Sequence, residues 1–284
     1  MDNTVSYITT CGKLTGKKYW DYGPVARDVY ILHYIISGKG YLDFGDKHIT
    51  LVEGQSFLIR PFLPVHYYSD SEDPWEYIWV DFRGNEFEKL IGNIQFQKSN
   101  CVIEYTAPQY VLPLMESIYR EYNGEDHKNF HKNFCNGLLT AILGIYTDLY
   151  PAPENSIYTQ QFSFAQKLIE ENYQNKNFQT KHIAEKLNLS NSSLYRLFKE
   201  FAGISPNRYL INYRIAVAKN LIDSGEKIHI ASQMCGYDDP LYFSRVFKSV
   251  TGMSPKHYSQ QNPAKDAHQE TYMFLKKEMS ENAP

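Results

Sequence analysis

Cysteine is scarce in this sequence, and long apolar runs are absent from it. The chain has 284 residues but only four cysteines (Cys11, Cys101, Cys135 and Cys235), none in a C-x-x-C motif. Neither a disulfide framework nor a metal site is indicated, which fits a reducing cytoplasm. No apolar run approaches the roughly 18 residues of a membrane span, and the N-terminus lacks the pattern of a secretion signal. We therefore expect a cytoplasmic protein with no membrane partner.

The net charge is only −3, but it is unevenly distributed. Residues 156–262 carry 13 Lys and Arg against 8 Asp and Glu, whereas residues 1–155 carry 13 against 20. A basic C-terminal half on an acidic chain fits contact with nucleic acid through one domain. The same excess is compatible with an ordinary solvated surface, so charge supports a DNA-binding motif without establishing one.

One motif occurs twice, 49 residues apart. Residues 194–209 read LYRLFKEFAGISPNRY, and residues 243–258 read FSRVFKSVTGMSPKHY. The copies share an Arg, a Phe and a Lys in their first halves, and a Gly-x-Ser-Pro and a final Tyr in their second halves. A repeat of this density predicts one small structural unit built twice.

A shorter helical segment and a turn precede each copy. Asn188 and Gly236 tolerate the left-handed backbone that a helix end commonly needs, and Ser190 and Asp239 are good N-caps for the next helix. Helix, tight turn and helix is the helix-turn-helix layout, in which the second helix enters the major groove of DNA. The offset between copies is 48 residues before the turn and 49 after it, so the second turn has one extra residue.

The second helix of each unit has one apolar face, and the other positions are candidates for DNA contact. These candidates are Asn191, Ser192, Tyr195, Arg196 and Lys199 in the first unit, and Asp239, Leu241, Tyr242, Arg245 and Lys248 in the second. A mid-helix arginine can bond guanine edges, and a lysine can meet phosphate. Solvated amphipathic helices are the simpler interpretation of one copy alone. The same Arg and Lys at the same phase in both copies favour DNA.

Residues 208–225 predict a long, mostly buried helix that ends at Ser224-Gly225 and joins the two units.

Residues 160–262 resemble the DNA-binding domain of the AraC/XylS family of transcription regulators, and the second copy carries the more specific match. Tyr195 departs from the family pattern, in which a small or polar residue is common at this position. The resemblance implies operator DNA as a partner, a homodimer, and contact with RNA polymerase.

The N-terminal half predicts short strands separated by Gly, Pro and Asp turns, as in an antiparallel sandwich or barrel. The segments LHYIISGKGYL (32–42), GQSFLIRP (54–61), VHYY (65–68) and PWEYIWVDF (74–82) also resemble the cupin barrel of the AraC family. The expected fold class is α+β: a cupin-like β-barrel with a helical pair, then an all-α domain with two helix-turn-helix units joined by a long helix.

The aromatic content of this half favours a sugar, because apolar sugar faces stack on aromatic rings while the hydroxyls need planar polar partners. The candidate ligand-binding residues are Arg27, His33, His66, Tyr68, Tyr77, Trp79 and Asp81. Strand alternation places Tyr77, Trp79 and Asp81 on one face, and His66 with Tyr68. Comparison with the arabinose-sensing member places Tyr68, Tyr77 and Trp79 at its ligand positions. The alternatives are that the aromatic residues are core and that His66 is structural.

A metal-dependent enzyme is the least favoured interpretation of a cupin-like domain. Metal-binding cupins need several His and a Glu around one ion, and the strand that usually supplies the first set reads RDVYILHY (27–34) here. His33 and His66 are too few, so we expect no metal, no cofactor and no catalytic residues.

The apolar stripes of residues 108–122 and 128–150 predict two helices. These helices dimerise, as the family resemblance implies, or pack on the barrel, or do both. The expected domains are an effector-binding barrel at 1–106, a helical dimerisation region at 107–150, a linker at 151–159, the DNA-binding domain at 160–262 and a tail at 263–284.

The leading hypothesis is a sugar-responsive transcription regulator, an activator of sugar uptake or metabolism genes. The N-terminal segments resemble regulators of raffinose, melibiose or multiple-sugar operons. The alternatives are a regulator of the same type with a non-sugar effector, and a cupin enzyme with an accessory DNA-binding domain.

Overall fold

The computed structural model describes residues 6–16, 19–25, 27–97, 101–123, 132–153 and 157–261. The strands are β1 Tyr7–Leu14, β2 Asp21–Val25, β3 Tyr30–Ser37, β4 Lys39–Phe44, β5 Lys47–Val52, β6 Ser56–Ile59, β7 Val65–Ser69, β8 Glu76–Arg83 and β9 Val102–Ile103. The helices are α1 Asn85–Gly92, α2 Pro108–Asn123, α3 Lys132–Leu149, α4 Ile157–Asn172, α5 Thr180–Lys186, α6 Asn191–Ala202, α7 Pro206–Asp223, α8 Ile228–Met234, α9 Pro240–Thr251 and α10 Pro255–Gln261. The predicted tail, 263–284, lies outside the described residues.

The N-terminal strands form two antiparallel sheets that face each other. One sheet has the order β1-β8-β3-β6-β9 and the other the order β2-β7-β4-β5. This arrangement confirms the α+β class and the cupin-like half. Among the described strands, however, the sheets do not close into one continuous barrel, so the domain is an open sandwich whose interior lies between the sheets.

The five-stranded sheet is covered on both sides, which explains why its central strands are apolar along their whole length. Ile31 and Tyr77 point into the sandwich, while Leu32 and Val80 point outward. The outward side packs beneath α1, α2 and α3. Helices α2 and α3 correspond to the predicted pair, whereas α1 falls in a segment that the sequence assigned to strands.

The C-terminal domain contains the predicted duplicated unit. Helices α5 and α6 form the first helix-turn-helix, α8 and α9 the second, and α7 is the long helix between them. Helix α4 begins at Ile157, inside the segment expected to be a linker, because its apolar face packs against the first unit through Phe162 and Ile169.

The two domains share one cluster of buried side chains. Leu63 and Val65 of the sandwich belong to the same cluster as Phe162 and Phe198 of the helical domain. Because apolar side chains from both domains bury one another, the first helix-turn-helix unit is docked against the sandwich.

Candidate DNA-binding and effector-binding sites

The second helix of each unit, α6 or α9, is called its recognition helix. Capping residues fix where each recognition helix begins. The Ser190 hydroxyl accepts a hydrogen bond from the Ser193 N–H at 3.1 Å at the start of α6. At the start of α9, Asp239 Oδ1 accepts from the N–H groups of Leu241 at 2.8 Å and Tyr242 at 3.2 Å. Both caps are those that the sequence predicts, and each satisfies backbone donors that a helix start leaves unpaired.

Left-handed residues end the helices at equivalent places in the two units. Asn188 has φ 52° and Gly236 has φ 79° in the turns, and Gly203 and Gly252 end the recognition helices with φ 66° and 81°. The structure also has the extra residue in the second turn, since α8 follows α5 by 48 residues and α9 follows α6 by 49.

The predicted DNA-contact residues lie on the solvent side of the recognition helices. Leu194 and Phe198 in α6 are buried, as are Phe243 and Phe247 in α9. The exposed positions include Asn191, Ser192, Tyr195, Arg196, Leu241, Tyr242, Arg245 and Lys248. Leu241 is 75% exposed, and the adjacent Tyr242 is 48% exposed.

Two of the predicted contact residues have roles within the protein. Asp239 Oδ1 is engaged by its N-cap bonds. Lys199 is half-buried, and its Nζ lies 3.2 Å from the Gly203 carbonyl oxygen and 3.5 Å from Asp46 Oδ2. Because Asp46 belongs to the β4–β5 turn, Lys199 is held at the domain junction, unlike its counterpart Lys248, which is exposed.

The sandwich interior brings together five of the seven predicted ligand residues. Asp81 and His33 are fully buried, and Tyr77 and Trp79 are nearly so. Arg27 Nη1 donates to Asp81 Oδ2. The rings of Tyr77 and Trp79 are 5.7 Å apart, and those of His33 and Tyr77 are 5.2 Å apart.

The charges of this interior are balanced. Burial alone would lower the pKa of Arg27, but the Asp81 carboxylate and the Tyr22 phenol outweigh it, so the net shift is upward and Arg27 stays charged. Burial lowers the pKa of His33 to about 3, a shift that the neighbouring Asp81 only partly opposes. At neutral pH the site therefore holds one ion pair and a neutral imidazole.

Polar atoms without partners face this interior. Both ring nitrogens of His33 and Nε1 of Trp75 are buried and have no hydrogen-bond partner among the described residues. The His33 ring stacks on Phe57 at 4.2 Å and meets Tyr67 at 5.2 Å. Buried polar groups left unpaired are costly, so a ligand with hydroxyl groups would satisfy them.

His66 and Tyr68 do not belong to this interior group, which corrects the expectation that they share a ligand site with Tyr77 and Trp79. Val65, Tyr67 and Ser69 of β7 are buried, and the alternating His66 and Tyr68 face outward. His66 Nε2 pairs with Asp21 at 2.8 Å on the outer surface. The register of β7 is set by the pairing of Tyr67 with Leu42, which points Tyr67 inward.

The predicted ligand-binding residues leave out Tyr22, Tyr67 and Trp75, whose rings also pack in the interior. The Tyr67 ring lies 5.0 Å from that of Tyr22, and the Trp75 ring lies 5.3 Å from that of Tyr77. The signal was weak because VHYYS carries aromatic residues at both strand phases. Tyr67 and Tyr68 lie on opposite faces of the strand, and the sequence does not show which face points into the sandwich.

Within the described ranges, no group of three or more His, Cys, Asp or Glu is placed to hold a metal ion. The helices described here include none that is long and apolar enough to cross a membrane.

Comparisons with known proteins match both halves of the chain. Residues 183–261 match the helix-turn-helix domain family, and residues 8–143 match the AraC-like ligand binding domain family. The raffinose operon transcriptional regulatory protein of Pediococcus pentosaceus is 30% identical over 248 residues, which cover 83% of this chain and 86% of that protein. The Msm operon regulatory protein of Streptococcus mutans is 27% identical over 245 residues, covering 84% of this chain and 87% of that protein.

A solved structure shares the two-domain arrangement. The structure of ToxT from Vibrio cholerae with an unsaturated fatty acid bound matches with a TM-score of 0.53 at 17% identity, and the match covers 91% of this chain and 96% of that one. At this identity the likeness concerns the fold.

Proposed function

Because this chain belongs to the AraC family of DNA-binding transcription regulators, we propose that it activates sugar uptake or metabolism genes when a neutral sugar binds between its two sheets. The observation that carries this proposal is the aromatic interior that holds unpaired polar atoms. Relatives that regulate raffinose and Msm operons support the sugar class. Within that class, an α-galactoside such as raffinose or melibiose is our first candidate.

The electrostatics of the interior favour an uncharged ligand. Arg27 is neutralised by Asp81, and His33 is uncharged at neutral pH. A phosphorylated sugar would place a dianion beside the Arg27–Asp81 ion pair, in which the positive charge is already neutralised. Tyr77, Trp79 and His33 are buried against one another and their neighbours. A sugar would therefore enter as the two sheets separate, stacking its apolar side on the two aromatic rings and bonding the His33 nitrogens through its hydroxyl groups.

We propose that a homodimer forms through α3. Its outer side carries an apolar stripe at helical spacing, with Phe134 and Leu149 exposed at the ends and Leu138 and Ile145 half-buried between them. Ala141, at the middle of the stripe, is exposed and small, so a second helix could approach closely. Such a dimer would present four helix-turn-helix units to operator DNA, and RNA polymerase would be the partner of the bound activator in the cytoplasm.

The β4–β5 hairpin offers a route from the sugar to the DNA. Its inward residues Leu42 and Phe44 belong to the sandwich core. Its turn meets the end of α6, where a Cβ atom on Gly45 would stand 2.2 Å from the Gly203 carbonyl oxygen. Movement of the hairpin on sugar binding would therefore displace the end of the first recognition helix.

The test measures sugar binding and operator binding on the same protein. An operator is first selected from random duplexes, and calorimetric titrations then use raffinose, melibiose, galactose and galactose 1-phosphate. We expect a free sugar to bind and to change operator affinity, and the phosphate ester not to bind. Trp79→Ala should abolish sugar binding while Tyr68→Ala, on the outer face, should not.

The outcomes separate the parts of the proposal. Selection of no preferred duplex would refute sequence-specific regulation. Binding of galactose 1-phosphate in preference to galactose would refute the neutral-ligand argument. If no sugar bound in the titrations, the sugar proposal would be rejected, and the chain would be a regulator with another effector.

A second effector class is favoured by one cleft at the domain junction. The cleft is narrow: of about 280 Å³ of space that is partly open to solvent, only about 10 Å³ admits a water-sized sphere, and the lining is apolar except for Arg60. An effector would therefore bind there only if the cleft widened. Arg60 Nε has no hydrogen-bond partner among the described residues, and burial lowers the pKa of this side chain. ToxT was solved with a fatty acid bound, so the alternative effector is an anion with an apolar tail.

This alternative has its own test. If an apolar anion is the effector, oleate should bind the wild-type chain and change operator affinity, and Arg60→Met should bind oleate at least about tenfold more weakly because a desolvated ion pair is lost. Sugar binding should be unaffected in Arg60→Met. Equal oleate binding by both chains would reject the cleft as the site.

A further inference from the structure

The two helix-turn-helix units have separate cores. Leu194 and Phe198 of the first unit belong to the cluster that continues into the sandwich. Phe243 and Phe247 of the second unit belong to a different cluster, with Ile215 of α7. Both units pack on α7, so the orientation of one recognition helix relative to the other depends on the contacts that join the two cores.

Tyr173 and Arg214 make such contacts. Tyr173 follows α4 and packs against both clusters. Arg214 lies on α7 and is only 9% exposed. Its Nε donates to the Tyr173 carbonyl oxygen and its Nη2 to the Asn175 carbonyl oxygen, each at 2.8 Å. A planar guanidinium that donates two bonds fixes the orientation of its acceptors as well as their position.

The Arg214 guanidinium also lies against the turn of the second unit. Its Cζ is 5.7 Å from the centroid of the Tyr237 ring, and that ring is 5.3 Å from the ring of Phe243 in α9. Beside it, Gly236 has φ 79°, and a Cβ atom there would stand 2.8 Å from the Tyr173 carbonyl oxygen. The loop after α4 and the turn before α9 are therefore packed at a distance that suits glycine.

We propose that Arg214 is a positioning residue that sets the distance and angle between α6 and α9, and thereby the spacing between the two operator segments that one subunit accepts. The proposal rests on α6 and α9 being the groove-binding helices. Arg214 does not need to touch DNA, because it acts by holding the loop of the first unit against the turn of the second. Each base pair rotates the groove by about 35°, so a small loosening of this joint changes which spacings fit.

The experiment compares duplexes that differ only in spacing. A preferred operator is selected with the full-length wild-type chain, and one base pair is then inserted or removed between the two segments that one subunit protects. Affinity is measured for wild type, Arg214→Met and Arg214→Lys on these duplexes and on duplexes with only one segment. Lys176→Ala is the control, since the Lys176–Asp238 ion pair bridges the same loop and turn at 2.7 Å but is solvent-exposed and is expected to contribute little.

We expect Arg214→Met to bind single segments within about twofold of wild type but the selected operator roughly tenfold more weakly, a loss of about 1.4 kcal/mol. Its affinity should also depend less on spacing. Arg214→Lys, which keeps the charge and the stem but cannot reach both carbonyl groups, should show the same change in smaller degree even if the Met variant does not fold. Wild-type spacing dependence in Arg214→Lys, or equal losses on single and double segments, would overturn the proposal.

Discussion

At the scale of single residues, Arg196 and Arg245 occupy equivalent exposed positions on the two recognition helices. Nothing in the described structure engages the guanidinium of Arg245 in an ion pair, so it is available to a base edge. Lys199 and Lys248 are also equivalent in sequence, yet the fold separates them, because only Lys199 meets Asp46.

Substitution of the second unit should therefore separate base reading from phosphate contact. Arg245→Ala should weaken operator binding by about 1–3 kcal/mol and relax specificity at one position. Lys248→Ala should weaken binding to all duplexes alike and reduce the salt slope by about one. Fluorescence anisotropy on selected and scrambled duplexes at several salt concentrations measures both effects. Unchanged operator affinity in Arg245→Ala would mean that α9 does not enter the groove in this register.

His33 should make the fold sensitive to acid. Its pKa is about 3 in the folded chain and about 6.5 when exposed, so between these values the unfolded chain binds a proton that the folded chain does not. The contribution of neutral His33 to the free energy of unfolding is therefore fully present above about pH 6.5, and it falls as the pH drops towards 3. Urea titrations should show that His33→Phe loses less stability than wild type, by about 1 kcal/mol per pH unit between about pH 6 and 4. If the free energy of unfolding changed equally with pH in the two chains, His33 would not be a neutral buried imidazole in the folded chain.

At the scale of elements, the recognition helices depend on their N-caps. Asp239→Ala removes an acceptor for two backbone N–H groups and should destabilise the second unit by about 1 kcal/mol. Asp239→Asn keeps an acceptor oxygen and should stay within a few tenths of a kcal/mol of wild type. Thermal unfolding followed by circular dichroism tests the pair. If Asn were as damaging as Ala, the carboxylate charge rather than the cap geometry would be the important feature.

Helix α3 makes a second prediction at this scale. Ala141→Glu places a charge in the middle of the exposed stripe, where a partner helix would have to bury it. We expect sedimentation to show a dimer for wild type and a monomer for Ala141→Glu, with helix content unchanged. Gln160→Glu, at an exposed position of α4, is the control and should stay dimeric. A dimer in all three chains would place the interface elsewhere.

At the scale of the whole molecule, the β4–β5 turn holds the sandwich against the first recognition helix. Asp46→Lys replaces the attraction to Lys199 by repulsion at an exposed contact. We expect this variant to bind the operator with an affinity that depends less on the effector. The reason is that a movement of the β4–β5 turn would no longer displace the end of α6. Glu53→Lys makes the same charge change at an exposed residue after β5 and is the control. Effector dependence equal to wild type in Asp46→Lys would reject the hairpin as the route.

The duplicated segment made the helical domain predictable, because its structure is set by local chemistry. Ser190, Asp239, Asn188 and Gly236 act within their own turns, so residue type and spacing were enough to place the caps and the extra turn residue. Helix α1 was missed because eight residues give little periodicity between strands.

The sequence by itself determined the class of protein and the faces of the recognition helices, since helix caps and apolar periodicity are local properties. Only the tertiary structure decided which residues form the effector site and how the two domains meet. In VHYYS both strand phases are aromatic, and pairing with β4 turned Tyr67 inward and Tyr68 outward. Likewise Lys199 and Lys248 look alike in the sequence. Only the packing of the β4–β5 turn, 153 residues away in the chain, gives Lys199 an acidic partner, Asp46.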